Sequence, residues 1–420
     1  MSIEILIVGG GPAGASTAIH LARLLPSQRE KILVIDKQAF PREKPCGGGL
    51  SGRALATLAD MGVEISVPSV TTDCVQYRFG GGTSRYHVPG ACRIVRRAEF
   101  DTMLLRNAAS RGVCVCEGES LTQMSRDGER FHVRTTRRSI TPRVVIAADG
   151  AASLVRRLAG FPAPRAFARL HLYEIPVSEQ STPEFVDGAF TFDYSAVPRG
   201  VEGYVWDFPS RIGGRPHLNT GIYHRNARGT NGAPPNERSD SQRARLLAIL
   251  DDHLRRRGID PRQARLRSYP DIEYDPDVPL SLPGVLLTGS AAGINALTGE
   301  GIWQSLVYGR LAAESIAASY ASNDLRFREY GERVAHSPMG RDLRLSRRIA
   351  DLFYGRYFWP LYSFQERNAD LRIAYIKSFA GQFDLARLSK TRLALAWWRH
   401  LATLAVSGGG RRPRQNGAAR

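Results

Sequence analysis

Lysine is scarce in this chain. Of its 58 basic side chains only five are lysine (Lys31, Lys37, Lys44, Lys377 and Lys390), which leaves 53 arginines. Set against 40 acidic groups they give a formal charge of +18. Such an arginine bias can be a coding habit of the lineage; it also suits a nucleic-acid face or an anionic membrane or substrate surface. Long apolar runs are missing too. No stretch of about 18 apolar residues is available to cross a bilayer as a helix. The chain opens directly into a strand, without the basic leader and small-residue cleavage site of a secretory signal. Cysteine is sparse and odd in number: five residues at irregular spacing argue against a disulfide framework and for a reducing compartment. The cytoplasm, or its membrane face, is therefore expected. Cys114 and Cys116 alternate with Val113 and Val115, so they share one face of a strand; with no second Cys/His pair to complete a zinc set, they read as buried hydrophobes. The nine histidines show no H-x-x-x-H or H-E-x-x-H spacing, and no G-x-S-x-G elbow occurs. No metal site is expected.

What the chain does hold is unevenly placed. Residues 341–420 carry 16 basic and 5 acidic side chains and 12 of the 36 aromatics, at helical spacing and without a nucleic-acid fold signature. From Ser407 the chain turns Gly- and Arg-rich and reads as a disordered basic tail. The middle, roughly 165–280, alternates short β-type runs with Gly and Pro turns, with a flexible stretch from Asn226 to Asp240 and an amphipathic helix from Ser241 to Arg257. A strand at Val285–Thr288 leads through a small-residue turn to a helix from about Gly301 to Tyr320.

The amino terminus reads strand, Gly-rich turn, helix, strand. Gly9-Gly10-Gly11-Pro12-Ala13-Gly14 satisfies G-x-G-x-x-G, follows the apolar run Ile3–Val8 and opens a helix over Gly14–Leu25. Its glycines allow a tight turn and close backbone approach to a pyrophosphate on the helix N-terminus. Asp36, at the end of the second strand and next to Lys37, is placed to accept a ribose hydroxyl. A dinucleotide site is expected, with Gly9, Gly11, Ala13, Gly14, Asp36 and Lys37 in it.

Two further segments choose the dinucleotide. Val145-Ile146-Ala147-Ala148-Asp149-Gly150 is an apolar strand ending in Asp-Gly, followed by Ser153 and Arg156. Leu286-Leu287-Thr288-Gly289-Ser290-Ala291-Ala292 leads to Thr298-Gly299-Glu300-Gly301-Ile302. In this order the chain resembles the FAD-dependent oxidoreductases of the glutathione-reductase-like, aromatic-hydroxylase type, and Arg97-Ala98-Glu99-Phe100-Asp101 resembles their Arg-x-x-Phe-Asp helix start. The resemblance spans residues 1 to about 320. It implies FAD, with Arg97 near the cofactor, Leu121 touching the adenine side through its backbone, and Asp149, Ser290, Gly301 and Ile302 at the flavin half. Ser290 departs from the family pattern, which has an Asp on the ribityl chain there; a hydroxyl can still hydrogen-bond but loses the charge-assisted form.

Within that superfamily the chain resembles the geranylgeranyl reductases. Lys44-Pro45-Cys46-Gly47-Gly48-Gly49 is similar to their Lys-Pro-Cys-Gly-Gly loop beside the flavin ring. Gly203-Tyr204-Val205-Trp206-Asp207-Phe208-Pro209 is similar to their Tyr-x-Trp-x-Phe-Pro motif lining an isoprenoid cavity, and Leu297–Ile302 matches their Leu-Thr-Gly-Glu-Gly-Ile run. Ser210 stands where Lys commonly follows Phe-Pro. The resemblance implies Cys46, Gly47 and Gly49 against the flavin, and reduction of carbon–carbon double bonds on a prenyl diphosphate or prenylated lipid. NAD(P)H or another donor would supply the electrons. A trisubstituted alkene is not an electrophile, so protonation followed by flavin hydride is the plausible order, with aromatic faces sheltering the cation. Tyr204 and Trp206 alternate on a strand and face one side, as cavity walls or as ordinary core. Cys46 orients substrate, supplies a proton, or serves as a spacer. Oxygen activation, as in an aromatic hydroxylase or halogenase, is the alternative, although the halogenase Trp-x-Trp-x-Ile-Pro signature is missing; a carrier that binds lipid without turnover is a third.

The expected architecture is α/β: a Rossmann-like FAD-binding domain (1–75, 93–165 and 281–325) with an inserted antiparallel-sheet substrate domain (76–92 and 166–280). A C-terminal helical appendage (326–406) and the basic tail (407–420) follow. The basic, aromatic end is a candidate peripheral membrane surface.

Overall fold

A computed structural model describes residues 2–79, 82–226, 235–355, 357–382, 391 and 396–401. Ile5–Val8 is a strand with all four side chains buried, as a parallel strand covered on both faces demands. It is central in a six-stranded sheet ordered Ser281–Leu282, Val285–Leu287, Val144–Ala147, Ile5–Val8, Ile32–Asp36, Cys114–Glu117. Every neighbouring pair is parallel except the first. Pro12 opens the helix Pro12–Leu24, where its fixed φ and missing N–H cost nothing. The helix Ile302–Ser322 lies directly on it: a Cβ at Gly309 would stand 2.6 Å from the Ser16 Cβ, and the Ser16 hydroxyl donates to the Leu306 carbonyl at 2.7 Å. Because the strands run parallel, Val8, Asp36, Ala147 and Leu287 end at one edge, and the turns after them converge there.

The second sheet has eight strands, ordered Arg267–Ile272, Phe167–Pro176, Arg215–Asn226, Gly203–Ile212, Ala189–Asp193, Ser69–Phe79, Gly82–Val95, Gly49–Ser51. All its pairings are antiparallel except that of Ala189–Asp193 with Ser69–Phe79. It reaches beyond the segments 76–92 and 166–280. Ser69–Phe79 and Gly82–Val95 form one long hairpin that continues through a bulge between Thr72 and Cys74, and Gly49–Ser51 joins its edge. Along Gly203–Ile212 the side chains alternate cleanly: Tyr204, Trp206 and Phe208 pack in one cluster, while Val205 joins Leu246, Ile249, Leu250 and Leu254 of the helix Pro235–Arg256 on the other face. Of the expected flexible stretch Asn226–Asp240, residues 227–234 lie outside the described ones. A three-stranded sheet, Leu121–Asp127, Arg130–Thr135 and Ser139–Ile140, completes the expected mixed α/β architecture.

The C-terminal helices Tyr330–His336, Pro338–Phe353, Phe358–Arg367 and Ala369–Phe379 are less peripheral than an appendage. Phe79 of the large sheet packs on Phe358 and Trp359 with ring centroids 5.1 and 4.9 Å away, and Tyr194 meets Phe353 at 5.5 Å. Amphipathic spacing announces a helix but not the surface that its apolar stripe covers. The tail 407–420 lies outside the described residues.

Candidate active site

The Gly-rich loop is closed by backbone contact. Gly9 sits at φ +109°, and a Cβ there would stand 2.2 Å from the Ala148 carbonyl oxygen; one at Gly14 would stand 1.9 Å from that of Gly9. Asp36 accepts the Gly10 N–H at 2.8 Å and the Gln38 N–H at 2.9 Å, so the carboxylate expected at the ribose also holds the loop in place. Lys37 beside it is exposed. Gly118 and Glu119 donate to the Gln38 and Asp36 carbonyls at 3.2 and 2.8 Å, which lays the segment leading to Leu121 alongside Asp36. Two arginines converge on buried Asp101: Arg97 through both carboxylate oxygens at 2.6 and 2.8 Å, and Arg42 at 3.0 Å. Burial alone would lower the Arg97 pKa, but Asp101 and then Cys46 outweigh it and hold the guanidinium charged. Arg42 also lies 3.3 Å from where a Gly11 Cβ would be. A cation beside a helix N-terminus suits a pyrophosphate, and sequence reading missed it because Arg42 is one arginine among 53.

The other two turns, expected at the flavin half, pack against the first helix and the sheet end. A Cβ at Gly289 would reach within 2.8 Å of the Ala13 Cβ, so the Ser290 turn rests on the first helix. Arg156 pins that turn by donating to the Ala291 carbonyl at 3.0 Å. Gly301 caps the helix that starts at buried Ile302. One Asp149 oxygen accepts the Leu154 and Val155 amides at 2.8 and 3.2 Å, while Oδ1 is buried without a partner. Burial raises the pKa of this carboxyl, opposed by the Ser153 hydroxyl and backbone amides. A buried acceptor left open, a glycine cradle that any Cβ would fill, and arginines at the helix N-terminus together fit FAD.

On the substrate side, Cys46 is half-buried; its sulfur accepts the Gly48 N–H at 3.4 Å. Phe208 covers the loop, 3.0 Å from a Gly47 Cβ position and 3.5 Å from a Gly49 one. The Trp206 indole N–H donates to Asn219 Oδ1 at 2.9 Å, and Asn219 Nδ2 donates to the Cys46 carbonyl at 2.9 Å. Asn219 thus joins two predicted catalytic residues, though nothing in the sequence marks a single Asn 13 positions from Trp206. Tyr204 donates to the Thr298 carbonyl and stacks on Tyr223, 5.4 Å and 28° apart; Tyr223 in turn packs on Gly299. Burial, then the neighbouring Cys46 and Glu300, push the Tyr204 phenol pKa well up, so it stays a neutral donor. Among the described residues, no group of three His, Cys, Asp or Glu could hold a metal ion.

The model of a family described as an FAD binding domain matches residues 2–269. The chain belongs to this FAD-binding family. It is an FAD-dependent oxidoreductase of geranylgeranyl-reductase type, and FAD is its cofactor. The flavoenzyme is 30% identical over 382 residues to the menaquinone reductase of Mycobacterium tuberculosis, covering 86% of each chain. It is 27% identical to digeranylgeranylglycerophospholipid reductase 1 of Methanothermobacter thermautotrophicus, covering 79% of this chain and 81% of that one. Its fold is shared by a geranylgeranyl bacteriochlorophyll reductase-like protein from Thermoplasma acidophilum (20% identity, TM-score 0.72, 96% of this chain and 99% of that one). The flavin-dependent brominase Bmp2 shares it as well (20%, TM-score 0.70, 97% and 99%). In the flavoenzyme the first Gly motif meets the Asp149 turn through Gly9 and the Gly289–Ser290 turn through Ala13, and Trp206 and Phe208 of the eight-stranded sheet lie against the Cys46–Gly47 loop.

Proposed function

We propose that this flavoenzyme saturates C=C bonds of a polyprenyl chain, on a prenyl diphosphate or a prenylated lipid, with NAD(P)H or another reductant restoring the flavin. Residues 1–75, 93–165 and 281–325 would form the FAD domain, which shares the strands Gly49–Ser51, Ser69–Phe79 and Gly82–Val95 with the large sheet; that sheet and the C-terminal helices would surround the substrate. The observation that carries this reading is a cavity of about 830 Å³ lined by Tyr77, Tyr194, Leu297, Phe353, Leu361, Trp397 and other apolar side chains. Its size suits a lipid chain. Tyr77 and Tyr194 also line a narrow gap with Phe190, Phe192 and Thr298, and Tyr204 borders it through its ring contacts with Phe192 and Tyr194 and its hydrogen bond to the Thr298 carbonyl.

The chemistry that bound, reduced FAD would supply here is a hydride for one alkene carbon; a proton would complete the other, so that two C–H bonds would replace one π bond. The chain's part is to keep water out and to surround the developing positive charge with aromatic faces: Tyr204 meets Phe192 edge-on at 5.0 Å and lies 6.4 Å from Trp206. Cys46 would orient the alkene or pass the proton. Dismissing turnover in favour of a pure lipid carrier would leave the flavin cradle without a use.

The test is direct. The protein is reduced anaerobically with dithionite and mixed with geranylgeranyl diphosphate, a geranylgeranyl lipid or menaquinone. Flavin reoxidation with two hydrogens gained by the lipid supports the proposal. Unchanged lipid, with reoxidation only by oxygen and an aromatic substrate, replaces it with the monooxygenase or halogenase reading.

A further inference from the structure

The helices Pro12–Leu24, Gly52–Asp60 and Arg97–Ala109 bring their C-terminal ends together, at the far end of Pro12–Leu24 from the Gly-rich turn. A cavity of about 310 Å³ opens there, lined by His20, Arg23, Arg29 and Arg111 together with apolar side chains. Among the described residues no acidic side chain lines it, and none of the three arginines pairs with a carboxylate. Helix C-termini carry partial negative charge, and part of the arginine charge answers it. Arg29 donates through Nε to the Ala22 carbonyl at 2.7 Å, and Arg111 donates to the Asn107, Met61 and Gly62 carbonyls at 2.8, 3.3 and 3.1 Å. A guanidinium carries more N–H groups than these bonds use. Arg23 donates instead to His20 Nδ1 at 3.4 Å. An arginine N–H can only donate, so Nδ1 is the acceptor and the proton of the neutral ring sits on Nε2. Burial first, then Arg23, Arg310 and Arg111, lowers the His20 pKa to about 4, which keeps the ring neutral. His20 is 2% exposed, and its Nε2 is buried without a partner. Capping of helix ends accounts for Arg29 and Arg111; it leaves Arg23 and this costly open donor unexplained.

We propose that this cavity is a second binding site, which takes the phosphate of a small soluble ligand, either the free ion or a phosphate monoester. Three cations outnumber the charge of one carboxylate, whereas a phosphate monoester brings about two negative charges and several terminal oxygens. Those oxygens would accept the His20 Nε2–H and the spare N–H groups of Arg23 and Arg29 in charge-assisted bonds. The volume lies at the lower limit for small-molecule sites, which suits a group of this size and not a dinucleotide. The inference rests on neither the FAD site nor the substrate proposed above.

The experiment is calorimetric titration of the full-length, FAD-loaded protein with inorganic phosphate, glycerol 3-phosphate and acetate, with chloride holding the ionic strength constant. Phosphate is expected to bind at least about tenfold more tightly than acetate. Glycerol 3-phosphate binding as tightly as phosphate supports a monoester as the ligand, and phosphate binding alone supports the free ion. Arg23→Gln changes an exposed side chain and disturbs the fold least. It is expected to weaken phosphate about tenfold with FAD content unchanged, and His20→Phe, which removes the open donor, by a similar factor. Phosphate that binds no more tightly than acetate, or that binds Arg23→Gln with the parental affinity, would overturn the proposal.

Discussion

At the scale of single residues, the site depends on groups that touch nothing reactive. Asn219 is the clearest: one amide holds both the Trp206 indole and the Cys46 carbonyl. Replacing it with Ala strands an indole N–H and frees the loop, which should cost about 2 kcal/mol of stability. Turnover should fall about tenfold to a hundredfold through misplacement of the loop, with FAD still bound. A variant with full turnover and an altered melting temperature would reduce Asn219 to a structural part. Cys46→Ala is the companion measurement. Bound flavin should be unchanged, while alkene reduction falls or fewer bonds are reduced; an unaltered product pattern would make Cys46 a spacer. Motif order along the chain singled out Cys46, Tyr204 and Trp206. It could not single out Asn219, which acts across a sheet and has no sequence neighbour that marks it.

At the scale of elements, the C-terminal helices are tied by polar anchors to the loop that precedes the helix Ile302–Ser322. Asn295 accepts the Leu297 and Thr298 amides and donates to Asp342 and Ser346 of the helix Pro338–Phe353. Tyr354 donates to the Leu297 carbonyl at 2.7 Å. Arg225 joins buried Glu273 to Asp351 of the same helix, with Glu273 fully covered and Asp351 at 53% exposure. These two links differ in weight. Arg225→Met leaves the Glu273 charge buried and unpaired, at a cost of about 3–5 kcal/mol. Asp351→Asn removes a mostly solvated partner and should cost less than about 1 kcal/mol. Urea midpoints would show it; equal losses in the two variants would mean that the helix anchor, not the buried pair, holds this corner. The Rossmann-like half was readable because strand, glycine turn and helix are contiguous in the chain. The partner of the C-terminal stripe was not, because Phe79 and Tyr194 lie more than a hundred positions away from the helices that cover them.

For the whole molecule, charge governs both pH response and placement. His20, His171 and His224 are buried, and burial first, then nearby arginines, lowers each pKa to about 4. The unfolded chain takes up these protons below its ordinary value of 6.5 while the folded chain does not. Stability therefore falls as pH drops through this window, by up to about 1.4 kcal/mol per pH unit for each histidine. A melting temperature that stays level from pH 6.5 to 4.5, the window those shifts set, would refute it. Placement rests on the other end of the chain. Leu345, Leu352, Tyr357, Ile373 and Trp398 are exposed on or beside the C-terminal helices, and Leu352 and Tyr357 also line the large cavity. No helix among the described residues is long and apolar enough to cross a membrane. The prenylated lipid proposed as substrate would enter from a bilayer, and residues 341–420 carry 16 basic against 5 acidic side chains. An apolar rim on a cavity mouth, in a segment whose sequence is this rich in arginine, is suited to an anionic leaflet. The full-length protein should co-sediment with anionic vesicles better than with neutral ones, and less so as salt is raised. Leu352→Ser with Trp398→Ser should lower binding about tenfold while FAD content holds. Equal binding to neutral and anionic vesicles, unaffected by the double variant, would leave the rim a crevice for substrate alone.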